Sequence, residues 1–512
     1  MGHQERRGVD QVYEWIDVVI RVTKKNEVYL KIETDPSTAM EINQFFTFDV
    51  PGARFMPTYK SRVWDGKARL FNIYRQELYV GLLPYLKEFA QTLEYKLEVD
   101  IKDVGDPVST QYVESLAKKL KLQSGGKDIE IRDYQIEAVK HSIIEGRALL
   151  LSPTASGKSL IIYNLVRYHQ HLGRKQLLIV PTTSLVEQMY GDFQDYATAD
   201  AWKVSENCHR IYGGKEKTAE YPITISTWQS IYKFPKQWFE QFDVVYGDEA
   251  HNFKAKSLTT ILDKCVNAPY RIGTTGTLDG TKTHKLVLEG IFGAVKKVIT
   301  TKKLMEQKSV ADLAITCLLL DYNDADRQLV KKMTYQEEME WIVTNPKRNN
   351  FIKNLCTSQK GNTLVLFQFV EKHGKVLNDL VSEKVGDKRS VFFVHGGTDT
   401  EQREQIRALT EKEDDAIIIA SYGTFSTGIN IRNLHNIVFA SPSKSRIRNL
   451  QSIGRGLRKG DNKTSCELFD IGDDLSWKSK KNYTLGHMVE RVKIYNEEGF
   501  EYKMVKVPIS GN

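Results

Sequence analysis

Two short segments hold the residue types with the clearest chemistry. Ser152-Pro153-Thr154-Ala155-Ser156-Gly157-Lys158-Ser159 reads as a phosphate-binding loop. A glycine-containing turn exposes backbone N–H groups to phosphate oxygens, the Lys158 ammonium neutralises β- and γ-phosphates, and the Ser159 hydroxyl meets Mg2+. Its first position holds Ser152, where glycine or alanine is usual. The second segment, Asp248-Glu249-Ala250-His251, follows the apolar run Phe242-Asp243-Val244-Val245-Tyr246. A buried strand there delivers both carboxylates to its carboxyl end, where α/β sheets hold their ligands. Asp248 would then hold the metal's water shell and Glu249 would activate the attacking water. The chemistry implied is hydrolysis of ATP with Mg2+, the two cofactors expected.

The elements that must position these groups follow from the apolar pattern. Residues from about 12 to 103 alternate short β-like runs, such as Val28 to Ile32 and Glu77 to Gly81, with helical stretches near 36–46 and 83–93. We expect a small α+β, nucleic-acid-binding domain over 1–103, then a helix and linker over 104–128 ending in Ser124-Gly125-Gly126-Lys127-Asp128. From Ile129 to about 300, β-type runs (Ala148 to Leu151, Gln176 to Val180, Pro222 to Ile225, Val244 to Tyr246, Arg271 to Gly273) alternate with helical patterns, the signature of a parallel sheet wrapped by helices. The alternation restarts in 301–475 with Thr363 to Phe367, Ser390 to Val394, Ala416 to Ala420, Ile437 to Ala440 and Cys466 to Asp470. This second α/β unit has no phosphate loop, because Gly374-Lys375 continues with Val376 and offers no metal-facing hydroxyl. One ATP site should therefore serve two lobes. Residues 476–512, with Lys478, Lys480, Lys481, Arg491 and Lys493, read as a C-terminal extension, either a helical appendage or a strand-bearing extension of the second lobe.

In this order the segments resemble superfamily 2 helicases and translocases, which implies two tandem RecA-like parallel-sheet lobes behind the α+β domain. Arg132-Asp133-Tyr134-Gln135 resembles the adenine-recognition motif, in which Gln135 reads a purine edge and Arg132 stacks on its face. Gln451-Ser452-Ile453-Gly454-Arg455-Gly456-Leu457-Arg458 matches the family's last motif. Arg455 and Arg458, one helical turn apart, would reach across the cleft to the γ-phosphoryl oxygens. The resemblance also implies catalytic roles for His251 and Gln451. Pro181 to Gln188 and Ser226 to Ser230 resemble strand-gripping motifs, so Thr182, Thr183, Thr227 and Trp228 are expected on nucleic acid; in the second lobe Gln368, His395, Gly396, Thr427 and Gly428 are expected there too. Thr275-Gly276-Thr277 resembles the motif linking the acids to the strand side.

Between Arg54 and Arg75, six basic residues face one acid, Asp65, and interleave with Phe55, Tyr59, Trp64, Phe71 and Tyr74. Lys60, Arg62, Trp64, Lys67 and Arg69 suit phosphate attraction with aromatic stacking, although the same aromatics equally suit a small domain's core. Arg62 to Leu70 and Thr334 to Glu338 are similar to segments of UvsW-type phage helicases. That family implies remodelling of stalled forks, Holliday-type junctions and R-loops in phage recombination, repair and replication, with branched, forked or single-stranded DNA and RNA–DNA hybrids as partners, by a monomer in the host cytoplasm. The net charge of +8 favours a polyanionic partner. Five scattered cysteines suit reduced thiols, not zinc or a disulfide framework. No apolar run approaches the roughly 20 residues that span a bilayer, and Met1 to Gln11 precede no signal-type stretch. RNA unwinding, a restriction-type motor subunit and a non-hydrolysing clamp are the alternative readings.

Overall fold

The computed structural model describes residues 19–102, 104–213, 220–254, 256–428, 431, 433–458 and 463–509, without the side chains of 254, 256, 257, 400 and 426–428. The N-terminal domain is a five-stranded sheet in the order Phe71–Asn72, Glu77–Tyr79, Tyr29–Glu33, Val19–Lys24, Lys96–Asp100. Only the last pair is parallel. In Val19–Lys24 the buried Ile20 and Val22 alternate with exposed Arg21 and Thr23, the period-two pattern of a half-buried strand. Helices Pro36–Phe45 and Leu83–Thr92 pack Ile42, Leu86 and Phe89 over that face. The first begins sharply because the Asp35 carboxylate accepts from the Ser37 and Thr38 N–H groups and Pro36 presets the first turn.

Two seven-stranded, all-parallel sheets follow. The first runs Cys208–Ile211, Ile223–Thr227, Gln176–Val180, Val244–Asp248, Tyr270–Thr275, Arg147–Leu151, Val295–Lys297. The second runs Val391–Val394, Ile417–Ser421, Thr363–Phe367, Asn436–Phe439, Ser465–Asp474, Asp312–Asp321, Tyr502–Pro508. Central strands such as Gln176–Val180 and Thr363–Phe367 are buried on both faces, which is why they read as continuous apolar runs. Every strand of a parallel sheet ends at the same edge, so the loops after Leu151, Val180, Thr227, Asp248 and Thr275 gather at one rim of the first lobe.

One expectation needs correction. Segment 104–128 is no linker: helix Thr110–Lys119 places Val113 in the first lobe's core beside Leu120 and Leu122, and Asp106 accepts from Arg174 at 2.6 Å and from Tyr168 at 2.9 Å. For residues 476–509, the reading as a strand-bearing extension of the second lobe fits, and the helical appendage does not. Helix Tyr483–Glu498 inserts Met488 and Tyr495 into the second lobe, Arg491 is buried against Asp470 at 2.6 Å, and Tyr502–Pro508 pairs along the ten-residue strand Asp312–Asp321.

The N-terminal domain is fastened to the first lobe. Leu286 of helix Lys282–Phe292 completes the small domain's core, and a Cβ on Gly81 would come within 1.9 Å of the Glu289 carbonyl oxygen. Tyr85 donates to the Glu289 carboxylate at 2.5 Å, and Arg147 reaches Glu27 at 3.1 Å.

Candidate ATP cleft and nucleic-acid interface

The phosphate loop joins strand Arg147–Leu151 to helix Lys158–His171. Gly157 takes φ +81°, and a Cβ there would lie 2.2 Å from the Gln135 side-chain nitrogen, so the turn admits glycine on both counts. Ala155 also has a positive φ, +66°, which bends the loop before that glycine. Ser152, the departure from the usual first residue, has a use: its buried hydroxyl meets that of Ser156 at 2.6 Å, and its N–H donates to the Thr275 carbonyl. The loop is thus stitched to the neighbouring strand.

Asp248 ends strand Val244–Asp248 and accepts from the Thr274 hydroxyl at 2.7 Å. Glu249, at φ +49°, turns its carboxylate to Lys158 Nζ at 3.5 Å and His251 Nδ1 at 3.4 Å. Burial raises Asp248, and repulsion from Glu249 adds to it; for Glu249 the Lys158 charge, the contact with His251 and the Arg455 charge outweigh burial and hold it below the usual carboxylate range. One carboxyl is therefore pressed toward its neutral form while its neighbour stays ionised. His251 meets the Thr275 hydroxyl at 3.0 Å, and Thr275 in turn donates to the Thr277 carbonyl at 3.0 Å. These contacts tie the acids to the Thr275-Gly276-Thr277 turn.

The second lobe closes the cleft with helix Arg446–Gly456. A Cβ on Gly454 would sit 2.6 Å from Thr154, so glycine lets this helix press onto the phosphate loop. Arg455 lies over the Phe425 ring at 5.3 Å. Arg458 falls just beyond the helix rather than on its last turn, yet Gln451, Arg455 and Arg458 all line one cavity of about 340 Å³ with Pro153, Thr154, Ala155, Gly157, Lys158, Ser159, Asp248 and Glu249. Burial and the adjacent Arg458 disfavour the charge on Arg455, a penalty that an incoming polyphosphate relieves. The donor set, an ammonium and two guanidiniums over glycine-turn N–H groups with a hydroxyl and carboxylate alongside, fits a triphosphate with a hard divalent cation.

Arg132 and Gln135 stand differently. Gln135 is buried: its oxygen accepts from the Arg132 N–H and its nitrogen donates to the Ser156 carbonyl, both at 2.9 Å. It braces the loop, while Arg132 donates to the Tyr134 hydroxyl at 2.9 Å and lines a separate hollow with Lys297 and Thr300.

Residues that the sequence did not assign to the ATP site line or brace the cleft. Tyr196 meets the Ser159 hydroxyl at 2.8 Å, and Ser184, Gln188, Asp192 and Asp195 of helix Thr183–Tyr196 form the facing wall. Lys463 is buried and donates to the carbonyls of Gly456 and, at 3.1 Å, Arg458. Tyrosines at helix ends and lysines after loops carry no distinctive spacing, so only the folded arrangement reveals them.

Thr182, Thr183 and Thr227 line a groove of about 820 Å³ at the rim of the first lobe, with Tyr212, Gln229, Ser230 and Lys233. Thr182 also caps the helix, accepting from the Leu185 N–H at 3.3 Å. Trp228 is not in that lining: its half-buried indole packs on the core beneath, edge-on to Tyr232. In the second lobe Gln368 and Gly396 are exposed and His395 half-exposed, each following the carboxyl end of a strand. Thr427 and Gly428 close helix Tyr422–Gly428, and Ile429 and Asn430 lie outside the described residues. On the N-terminal domain Lys60, Arg62 and Lys67 are exposed, Arg69 is paired with Asp65, and the Trp64 indole donates to the Lys67 carbonyl at 2.9 Å. Phe71 belongs to the core, whereas Phe55 and Tyr74 do not.

Comparison with known proteins agrees with this arrangement. Residues 19–100 match the N-terminal family of DNA helicase UvsW, 128–280 the res subunit of type III restriction enzymes, and 346–460 the helicase conserved C-terminal domain. The chain is 37% identical to the ATP-dependent DNA helicase uvsW of Enterobacteria phage T4 over 94% of its own length and 97% of that protein's. It is 23% identical to the DNA 3'-5' translocase XPB2 of Sulfurisphaera tokodaii over 65% of its length and 80% of that protein's. The crystal structure of T4 UvsW aligns at 34% identity with a TM-score of 0.51, covering 96% of this chain and 99% of that one. A DNA-bound type ISP restriction–modification enzyme, LlaBIII, shares the fold at 14% identity, with a TM-score of 0.55 over 85% of this chain and 36% of that one. With two parallel-sheet lobes around a shared cleft and this match along nearly its whole length, the chain belongs to the UvsW family of superfamily 2 helicases.

Proposed function

We propose that this protein hydrolyses ATP with Mg2+ in the inter-lobe cleft and uses the resulting lobe movement to travel along DNA, unwinding or branch-migrating forks, Holliday-type junctions and R-loops. The observation that carries this is the single cavity lined by Lys158, Ser159, Asp248 and Glu249 from one lobe and Gln451, Arg455 and Arg458 from the other. Lys158 leaves Glu249 for the β- and γ-phosphates as ATP enters, which frees the carboxylate to orient a water and take its proton. Ser159 and Asp248 would hold Mg2+, which would supply Lewis-acid stabilisation of the charge on the phosphates. Arg455 and Arg458 meet the charge that spreads over the γ-phosphoryl oxygens, and they reach it only while the lobes are closed. Hydrolysis and release then let the lobes part, so that the rim grips at Thr182, Thr183 and Thr227 move relative to those at Gln368, His395, Gly396, Thr427 and Gly428.

The test is phosphate release by wild type and Glu249→Gln with forked DNA, duplex DNA, single-stranded DNA and single-stranded RNA as alternative stimulants. We expect forked DNA to stimulate most and Glu249→Gln to lose at least about 100-fold in kcat; strongest stimulation by RNA would overturn the DNA assignment. Lys158→Ala and Arg455→Ala should also abolish turnover while a gel shift without nucleotide still shows DNA bound, because the rim grips lie apart from the cleft.

A further inference from the structure

The two-stranded ribbon Thr47–Asp49 with Lys67–Arg69 carries a compact tip, residues 50–66, that ends in apolar side chains left exposed among the described residues. Phe55 and Val63 are each 81% exposed, and Met56 and Tyr59 of the same tip are also exposed. The tip is nevertheless well ordered by its own bonds. The Val50 N–H donates to the Gly66 carbonyl, the Phe55 N–H to Gly52, and the Val63 and Trp64 N–H groups both to Thr58. Trp64 is pinned to the Lys67 carbonyl, Ala53 is buried, and Gly66, at φ +79°, takes the Tyr59 ring so close that a Cβ would touch it at 3.0 Å. Rigid presentation of bare apolar groups differs from a loose loop, which would fold such groups back on itself.

Position and charge narrow the occupant. Lys282 lies 5.3 Å from the Phe48 ring at the ribbon's base, and Lys282 opens the helix that follows the Thr275-Gly276-Thr277 turn. The ribbon's base is therefore set beside the start of a helix that leaves the first lobe after strand Tyr270–Thr275. Arg54, Lys60 and Arg62 flank the apolar tip and are exposed, which suits phosphates on either side of a flat apolar face.

We infer that this tip is a strand-separating wedge: Phe55 and Val63, its most exposed apolar side chains, meet the last base pair of a duplex where two strands part, while Arg54, Lys60 and Arg62 hold the diverging backbones. The inference rests on the reading that the protein unwinds forked DNA. Its test compares wild type, Phe55→Ala/Val63→Ala and Phe55→Trp on a fork carrying 2-aminopurine in the terminal base pair. The double variant should separate strands about tenfold more slowly, the scale of one lost stacking contact, and should lose the 2-aminopurine fluorescence change seen when wild type binds without nucleotide. Its ATPase on single-stranded DNA should stay within about twofold of wild type, and Phe55→Trp should unwind as wild type does. Wild-type unwinding by the double variant would overturn the wedge, and so would an equal loss of single-strand-stimulated ATPase, which marks a general DNA grip. A tip made for a protein partner would likewise leave unwinding by the purified protein intact. If wild type itself opens no fork, it is the helicase reading that fails.

Discussion

Lys463 shows how a single unremarkable side chain can govern the arginine pair. Its ammonium is buried, which pulls its pKa down, and it survives there because the carbonyls of Gly456 and Arg458 accept from it at the negative end of helix Arg446–Gly456. Those carbonyls belong to the chain that carries Arg455 and Arg458, so the lysine fixes where both guanidiniums start. Lys463→Met keeps the length and removes the donor. A charged hydrogen bond contributes about 1.5–3 kcal/mol, and we expect kcat on saturating DNA to fall about tenfold or more, with DNA affinity unchanged. If melting temperature drops while kcat holds, Lys463 is only a staple for the second lobe. The same region marks a limit of sequence reading. Gln451, Arg455 and Arg458 were legible because their spacing is distinctive, and Lys463 was not, because its partner is a backbone oxygen that any residue supplies.

Among elements, helix Arg446–Gly456 and the phosphate loop form the contact through which closure is felt. Gly454 faces Thr154 with no room for a methyl group. In an isolated helix, glycine to alanine stabilises by about 0.5–1 kcal/mol. Gly454→Ala should thus raise or hold the second lobe's melting temperature while pushing the arginines back from the cleft, and turnover should fall about tenfold with the KM for ATP rising alongside. Stability and activity moving in opposite directions is a signature that loss of folding cannot give. Elements differ in how plainly they announce themselves. Thr363–Phe367 and Val244–Asp248 are buried on both faces and stood out as apolar runs. Tyr502–Pro508 is an edge strand whose lysines face solvent, and Cys208–Ile211 is short and half polar, so neither carries a strand's apolar signature. Trp228 shows the reverse: its place in a strand-gripping segment was legible, whereas the packing of its indole on the core was not.

Across the whole molecule, the N-terminal domain and the first lobe are one packed body, and this decides how the small domain's role can be measured. Deleting residues 1–103 would strip the cover from Leu286 and Gly290 and leave Arg147 without Glu27, so such a truncation should lose thermal stability and ATPase together. Charge reversal on the exposed surface avoids that collapse. Lys60→Glu/Arg62→Glu alters side chains that hold no part of the core. Each phosphate contact contributes about 0.9 to the slope of log affinity against log salt on duplex DNA. We expect fork affinity at moderate salt to fall, and that slope to become shallower by about two, in a titration series at several salt concentrations. Turnover on saturating single strands should remain as in wild type, because the cleft and the rim threonines are untouched. A slope identical to wild type would mean that neither Lys60 nor Arg62 meets a phosphate, and the DNA path would then have to pass the small domain by.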